Sequence, residues 1–507
     1  MKINHLKLGA ALSYVIILLD IIIGIAYVPF LTTMLGQSEY GLYSLVASII
    51  SYLTVLDLGF GNAITIYTAK YLAKKDKEQE QKLHGMFLVI YIIIGLIAGA
   101  IGFVLKANVN TLFGDTMSIP EMETAKMLMS ILTFNLIVTF PFSIFSAIIT
   151  AYEKFVFSKL VNIFRILLTP LIMIPLLLNG YKSISLVCVI TGLNIACLLI
   201  NMFYCLKHLK IKLKFKGFDF KLLAEIFAYS FFVFLNVIID KINWSVDNFV
   251  LATLKGTVQV AIYAVAAQFN NIYLMFSTAI AGVLLPKITK MEMNKASDEE
   301  FTDLFVKVGR IQYLILGLIV TGFVVFGKKF ICLLYGAEYI TSYYIACVLM
   351  IPVTLPLLQN VGLSILQAKN KYKYRVLMLF GVAIFNIIIS VPLAKLYGGI
   401  GSAIGTAISF AIGHILVMNI YYHKEIHINI IKFLKEILKM SIPVVLTFGM
   451  GMLFYDKINQ STIMAYVIEI GLYTIIYCLA MWNFGMNEYE KDFVKGTINK
   501  VLKKSEG

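Results

Sequence analysis

The 507 residues are 60% apolar and only 14% charged, whereas a soluble domain typically has roughly 45–50% and 25%. That composition excludes a water-soluble protein, because the apolar residues gather in runs that only a bilayer accommodates in such number. A formal net charge of +15 would suggest nucleic acid in a soluble chain, but here Lys and Arg cluster in alternate loops, the positive-inside signature of a membrane protein, and no nucleic-acid partner is implied.

Apolar runs of roughly 20 or more residues predict about fourteen membrane spans. In the first half they cover residues 8–35, 40–71, 83–105, 125–152, 155–178 and 185–206, followed by 222–254. The second half continues over 258–288, 305–334, 341–368, 374–396, 399–422, 430–455 and 462–484. The first run is too long for a signal-peptide core and no small-residue cleavage site follows, so it is expected to stay as span one. Loops after even-numbered spans, together with both ends, hold most of the 43 Lys and Arg. This bias predicts a multi-pass protein of the cell membrane with both termini cytoplasmic.

An internal repeat is visible at one constant offset. Gly36, Gly41, Tyr43, Ala47 and Lys70 fall on Gly256, Ala261, Tyr263, Ala267 and Lys290, and at a slightly smaller offset Ala151, Lys154 and Pro175 fall on Ala368, Lys371 and Pro392. Six spans therefore repeat in the same orientation, and parallel repeats of this kind place a substrate site where the halves meet. The expected fold class is all-α: a six-helix bundle over 1–206, a basic cytoplasmic linker over 207–221, and a second six-helix bundle over 222–425. Spans thirteen and fourteen and a basic tail follow over 426–507. In the linker, Lys212, Lys214 and Lys216 alternate with Ile211, Leu213 and Phe215. Two readings stay open for it, a strip lying on the anionic inner leaflet and a solvated loop.

Polar residues within spans must face the bundle interior or a wet cavity. In span seven, Asn236, Asp240, Asn243 and Asp247 are spaced to share one helical face, flanked by Lys241 and Trp244, and in span five Asn162, Arg165 and Thr169 do the same. Arg165 and Lys241 lie near mid-span, one in each half. Two such cations suit a pyrophosphate, and amides suit sugar hydroxyls. The candidate substrate-binding set is thus Arg165, Lys241, Asn162, Asn236, Asn243, Trp244, Asn271 and Asn360. Asp240, Asp247 and Asp57 are candidates for holding a coupling H⁺ or Na⁺. The competing reading pairs Arg165 and Lys241 with Asp57, Asp240 or Asp20 as helix-locking ion pairs.

Catalytic signatures are scarce. Neither a Walker A loop nor a G-x-S-x-G elbow nor a dinucleotide glycine fingerprint is present, and His423-Lys-Glu425-Ile-His427 lacks the Glu placement of a zinc hydrolase. Six cysteines without C-x-x-C spacing read as packing residues. No metal or other cofactor is expected, and the chain reads as a non-enzyme.

The chain resembles the polysaccharide (O-antigen-type) flippases of the multidrug/oligosaccharidyl-lipid/polysaccharide exporter superfamily. The resemblance is carried by Gly36-Gln-Ser-Glu39-Tyr40-Gly41-Leu-Tyr43, by Asp57-Leu-Gly59-Phe-Gly61, and by Asp240-Lys241 through Asp247, with Tyr263 and Gln268. It implies a V-shaped pair of six-helix bundles working by alternating access. The implied cargo is a polyprenyl-pyrophosphate-linked oligosaccharide, turned to the outer leaflet before polymerisation, which would make a polysaccharide polymerase a partner. A peptidoglycan-precursor flippase and a cation-coupled multidrug antiporter are alternatives on the same fold. Peptidoglycan-precursor flippases line their cavity with several arginines, whereas this sequence has three in all, Arg165, Arg310 and Arg375, of which Arg165 alone is mid-span.

Overall fold

A backbone in hydrocarbon has to satisfy its own N–H and C=O groups, which leaves the helix as the favoured state for long runs of Leu, Ile, Val and Phe. The computed structural model describes residues 5–369, 371–455 and 463–505, and among them the regular elements are all helical. The helices are α1 (His5–Leu53), α2 (Phe60–Lys74), α3 (Lys77–Ala107), α4 (Val109–Phe113), α5 (Ile119–Ala151), α6 (Phe155–Leu178) and α7 (Ser183–Lys207). They continue with α8 (Phe220–Lys255), α9 (Thr257–Met293), α10 (Asp298–Tyr335), α11 (Ile340–Leu358), α12 (Asn360–Ala368) and α13 (Tyr372–Phe410). The last are α14 (Met418–Glu425), α15 (Ile430–Tyr455), α16 (Ile463–Ala480) and α17 (Glu488–Ser505).

Eleven helical stretches among the described residues are long and apolar enough to cross a membrane. Two of these each hold a pair of expected spans, because a single non-helical glycine, Gly36 within α1 and Gly398 within α13, reverses the chain partway along. With α8 added, whose middle carries Asp240, Lys241 and Asp247, the helices fall on the fourteen expected spans. The loop expected between spans thirteen and fourteen, residues 456–462, lies outside the described residues.

The repeat has a backbone counterpart. Gly36 adopts φ 78°, ψ 167° and Gly256 adopts φ 83°, ψ −178°, a region essentially restricted to glycine. Each therefore reverses the chain between two spans in a single residue. Gly41, one turn into the following span, meets the Thr257 carbonyl so closely that a methyl group there would collide with it.

The chain divides into two compact units, Met1–Val265 with Ala383–Ser402, and Ala266–Val382 with Ala403–Gly507. In the first unit α3 packs on α5, α5 on α7, and α1 on α6. Gly95, Gly99 and Gly102 of α3 face Ile137 and Thr133 of α5, so a stripe of small residues brings two backbones together. At the end that carries Gly36, Glu121 joins three elements. Ser118 and Glu121 form a capping box on α5, and the same carboxylate accepts hydrogen bonds from Ser38 of α1 and, at 2.8 Å, from Thr257 of α9. Beside it, Ser183 donates to Glu39 and Thr116 to the Ala252 carbonyl.

The basic connection between α7 and α8 is docked on protein. Ile211 is buried, the Lys214 amide donates to the Gln81 carbonyl at 3.0 Å, and Lys214 Nζ lies 2.8 Å from Glu78. Gly85 of α3 permits this approach, since a Cβ there would strike the Lys214 carbonyl. Neither expectation for this segment, leaflet strip or free loop, describes it fully.

In the second unit α10 packs against α15 and α11, with Val325, Phe326, Tyr466 and Tyr473 forming a buried cluster. Arg310 of α10 is buried among acids. Its guanidinium contacts Glu490 at 2.6 and 3.0 Å, Glu436 at 3.0 Å and the Gly485 carbonyl at 2.9 Å. Glu490 also caps the start of α17 with Asn487. This cluster ties the tail and the last two spans to α10.

Candidate functional site

Span two is not continuous. Within its apolar run, α1 ends at Leu53, a tight turn covers Thr54–Asp57, Leu58 and Gly59 take left-handed conformations, and α2 starts at Phe60. The motif Asp57-Leu-Gly59-Phe-Gly61 explains the break. Asp57 ends the tight turn and accepts a hydrogen bond from the Tyr91 hydroxyl of α3 at 2.6 Å, which ties the break to the neighbouring span, while Leu58 and Gly59 supply the left-handed backbone it needs. Discontinuous spans of this type border substrate sites in transporters, because freed backbone groups must line protein or water.

Next to the break lies a cavity of about 310 Å³ within the first unit. Tyr43, Ala47, Ile50, Ser51 and Thr54 form one wall, Leu132, Asn135, Leu136 and Thr139 of α5 another, and Arg165 of α6 with Ile190 and Asn194 of α7 complete it. Arg165 is exposed. Its Nη2 donates to Asn162 Oδ1 at 3.0 Å, one turn before it on α6, and Thr169 donates to the Arg165 carbonyl. The stripe Asn162, Arg165 and Thr169 therefore does share a face. Asp20 of α1 is within electrostatic reach of Arg165, yet no carboxylate lies within salt-bridge distance of it among the described residues. A cation held by a neutral amide keeps its charge for a ligand.

The span-seven stripe splits into two environments. Asp240 is exposed, with Asn236 donating to it at 3.4 Å and Lys241, half-buried, as its neighbour in the chain. Asn243 and Asp247 are buried. Asp247 accepts from the Tyr263 hydroxyl and the Ser402 hydroxyl, while Asn386 bridges Asn243 at 3.4 Å and Ser390 at 2.7 Å. In this knot inside the first unit the carboxylate accepts from two hydroxyls, and Ser390 links the amide pair to Ser402 beside it. Trp244 is half-buried on the same helix.

Lys241, Asn236, Asn243 and Trp244 are thus in the first unit with Arg165 but do not line its cavity. Asn271 and Asn360 belong to the second unit. Asn271 is exposed on α9, whereas Asn360 Nδ2 donates to Ser277 at 2.6 Å. Asn135, Thr139 and Asn194 were not singled out from the sequence. The available signal was Asn135 and Thr139 one helical turn apart in an otherwise apolar span. Among the described residues no group of three or more His, Cys, Asp or Glu could hold a metal; His423 instead faces the Ile428 carbonyl, and Glu425 pairs with Lys371.

Comparison with known proteins gives a consistent picture. Residues 6–292 match the family model described as polysaccharide biosynthesis protein. A putative O-antigen transporter of Shigella flexneri is 22% identical over 413 residues, covering 79% of this chain and 94% of that protein. A probable low-salt glycan biosynthesis flippase of Haloferax volcanii is 24% identical over 210 residues, 41% of this chain, and the match spans 44% of that relative's length. Among solved structures, the lipid II flippase MurJ in an inward closed conformation superposes with a TM-score of 0.70 at 17% identity, covering 94% of this chain and 96% of its own. An inward-facing multidrug resistance MATE transporter of the MOP superfamily gives 0.65 at 14% identity, covering 81% and 98%. At such identities the structures speak to fold, and the fold is that of the expected superfamily.

Proposed function

Because this chain belongs to the polysaccharide biosynthesis protein family, we propose that it is a membrane transporter that turns a polyprenyl-pyrophosphate-linked oligosaccharide from the inner to the outer leaflet by alternating access. The observation that carries this reading is Arg165 on the wall of a cavity, hydrogen-bonded to Asn162 and, among the described residues, with no carboxylate at salt-bridge distance. A pyrophosphate offers the acceptor oxygens that a guanidinium fork binds best, and the cavity's amides and hydroxyls suit sugar. The relatives named as an O-antigen transporter and a glycan biosynthesis flippase support the same cargo class. In this reading both termini are cytoplasmic, surface polysaccharide is the end product, and a polysaccharide polymerase receives the cargo.

The buried Asp247 is the best-formed place for a coupling H⁺ or Na⁺, since a buried carboxylate that accepts from two neutral hydroxyls gains from a bound cation. Asp240 is exposed to the surroundings of α8, and Lys241 supplies a second positive group there. Asp57, which accepts from the Tyr91 hydroxyl of α3, is assigned to holding the break in span two.

Deleting the gene in a strain without paralogues is expected to abolish surface glycan while lipid-linked units accumulate on the inner leaflet. Restoration by the wild-type gene and not by Arg165→Ala, at equal protein level, is the second half of that result. Normal surface glycan in the deletion strain would count against the proposal. Ion-gradient-dependent dye efflux from vesicles would instead favour the multidrug antiporter of the same fold.

A further inference from the structure

Building on the transport reading above, we infer that the wall formed by α5 and α7 reads a sugar ring, with Asn135 and Asn194 as the specificity-determining pair. Three polar groups meet there in one network. Asn194 Nδ2 donates to Asn135 Oδ1 and to Thr139 Oγ1, each at 2.8 Å. The Thr139 hydroxyl in turn donates to the Asn135 carbonyl at 2.7 Å, so its hydrogen is spent within α5 and its lone pair faces Asn194.

That accounting leaves two atoms over. Among the described residues Asn135 Nδ2 and Asn194 Oδ1 have no protein partner, and neither is among the enclosed polar atoms, so both remain reachable. The conclusion does not depend on how the amides are oriented. If the oxygen and nitrogen of both are exchanged, Asn135 donates to Asn194, the Thr139 hydroxyl turns to the same oxygen, and the atoms left over are again one carbonyl and one NH₂. Either way the wall presents a hydrogen-bond donor beside an acceptor.

This arrangement separates two kinds of ligand chemistry. Ionised phosphate only accepts, so the amide carbonyl has nothing to offer it. A sugar hydroxyl both donates and accepts, and two neighbouring ring hydroxyls can use the pair at once. Arg165, which only donates, has the opposite preference. The same cavity therefore carries a group for the anion on α6 and a group for the carbohydrate on α5 and α7. Leu132 and Ile190 supply apolar surface between them for the C–H face of a ring. A volume near 310 Å³ is at the lower end of the roughly 300–1,000 Å³ range of small-ligand sites, which suits a single ring rather than a whole oligosaccharide. Placing unspent amides at membrane depth is costly unless a polar ligand or water engages them, and a site built around such groups discriminates strongly against ligands that cannot bond them.

The test uses the full-length protein in lipid nanodiscs and calorimetric titration with farnesyl pyrophosphate, which lacks sugar, and with a panel of farnesyl-pyrophosphoryl monosaccharides. At least one sugar-bearing probe is expected to bind the wild type about tenfold or more tightly than farnesyl pyrophosphate. Asn135→Leu and Asn194→Leu should bring that probe down to the sugar-free level while leaving farnesyl pyrophosphate unchanged. Should the leucine variants not fold, Asn194→Thr keeps a hydroxyl toward α5, removes the carbonyl, and is expected to give the same loss. Equal affinity of the wild type for all probes, or variants that weaken farnesyl pyrophosphate as much as the sugar probes, would overturn the inference. A distinct result would overturn the transport reading itself, namely no binding of any probe, or Arg165→Ala leaving farnesyl pyrophosphate binding intact.

Discussion

Arg165 and Arg310 are the same side chain put to opposite uses. Arg310 sits 4% exposed with two carboxylates and a carbonyl around it, joining α10 to α15 and α17. Arg165 is exposed on a cavity wall and leans on one amide from its own helix. A buried arginine with its counter-charges built in holds helices together, and its removal leaves the buried Glu490 uncompensated in a dry place. An arginine whose hydrogen-bond partner is neutral adds little to the fold, so its presence within an apolar span points to a ligand.

That contrast can be broken by measurement. Arg310→Ala should have the largest effect, a loss of about 3–5 kcal/mol, seen as a steep drop in melting temperature in detergent; a triple change of Arg310→Met, Glu436→Leu and Glu490→Leu should regain most of it, because an apolar cluster of similar volume replaces the ions. An intermediate cost is expected for Gly36→Ala, about 1–3 kcal/mol for forcing a side chain into a glycine-only backbone region. Arg165→Ala should change stability least, within about 0.5 kcal/mol as for other exposed positions, yet remove transport. A melting curve for Arg165→Ala as damaged as that of Arg310→Ala would erase the distinction between the two arginines.

Much of the fold was legible because hydrocarbon imposes a simple rule on sequence. The runs at 155–178 and 430–455 coincide with α6 and α15, and the alignment of Gly36 with Gly256 reappears as a shared backbone conformation. The break in span two was not foreseen, since Thr54–Asp57 lies inside a run whose average is apolar and the turn is made locally by the left-handed Leu58 and Gly59. Span ten is interrupted likewise between α11 and α12, after Pro352 and Pro356. The candidate site was half legible. Arg165 and Asn162 are a turn apart and announce themselves by spacing. Asn135 and Asn194 meet only through the packing of α5 on α7, which no pattern within one span encodes. The partners of Arg310 were hidden for the same reason, as Glu490 is 180 residues away.

Glu121 bears on how the end of the first unit at Gly36 could ever loosen. One carboxylate is shared by hydroxyls from two glycine turns, Ser38 beside Gly36 and Thr257 beside Gly256. With a common acceptor the two turns are coupled, so releasing one frees capacity that the other or a solvent molecule can claim. Water can take over each vacated lone pair with little loss, because Glu121 is itself only partly buried. Such a fastening holds the two turns in register through one partly buried carboxylate, where solvent is at hand to replace either hydroxyl.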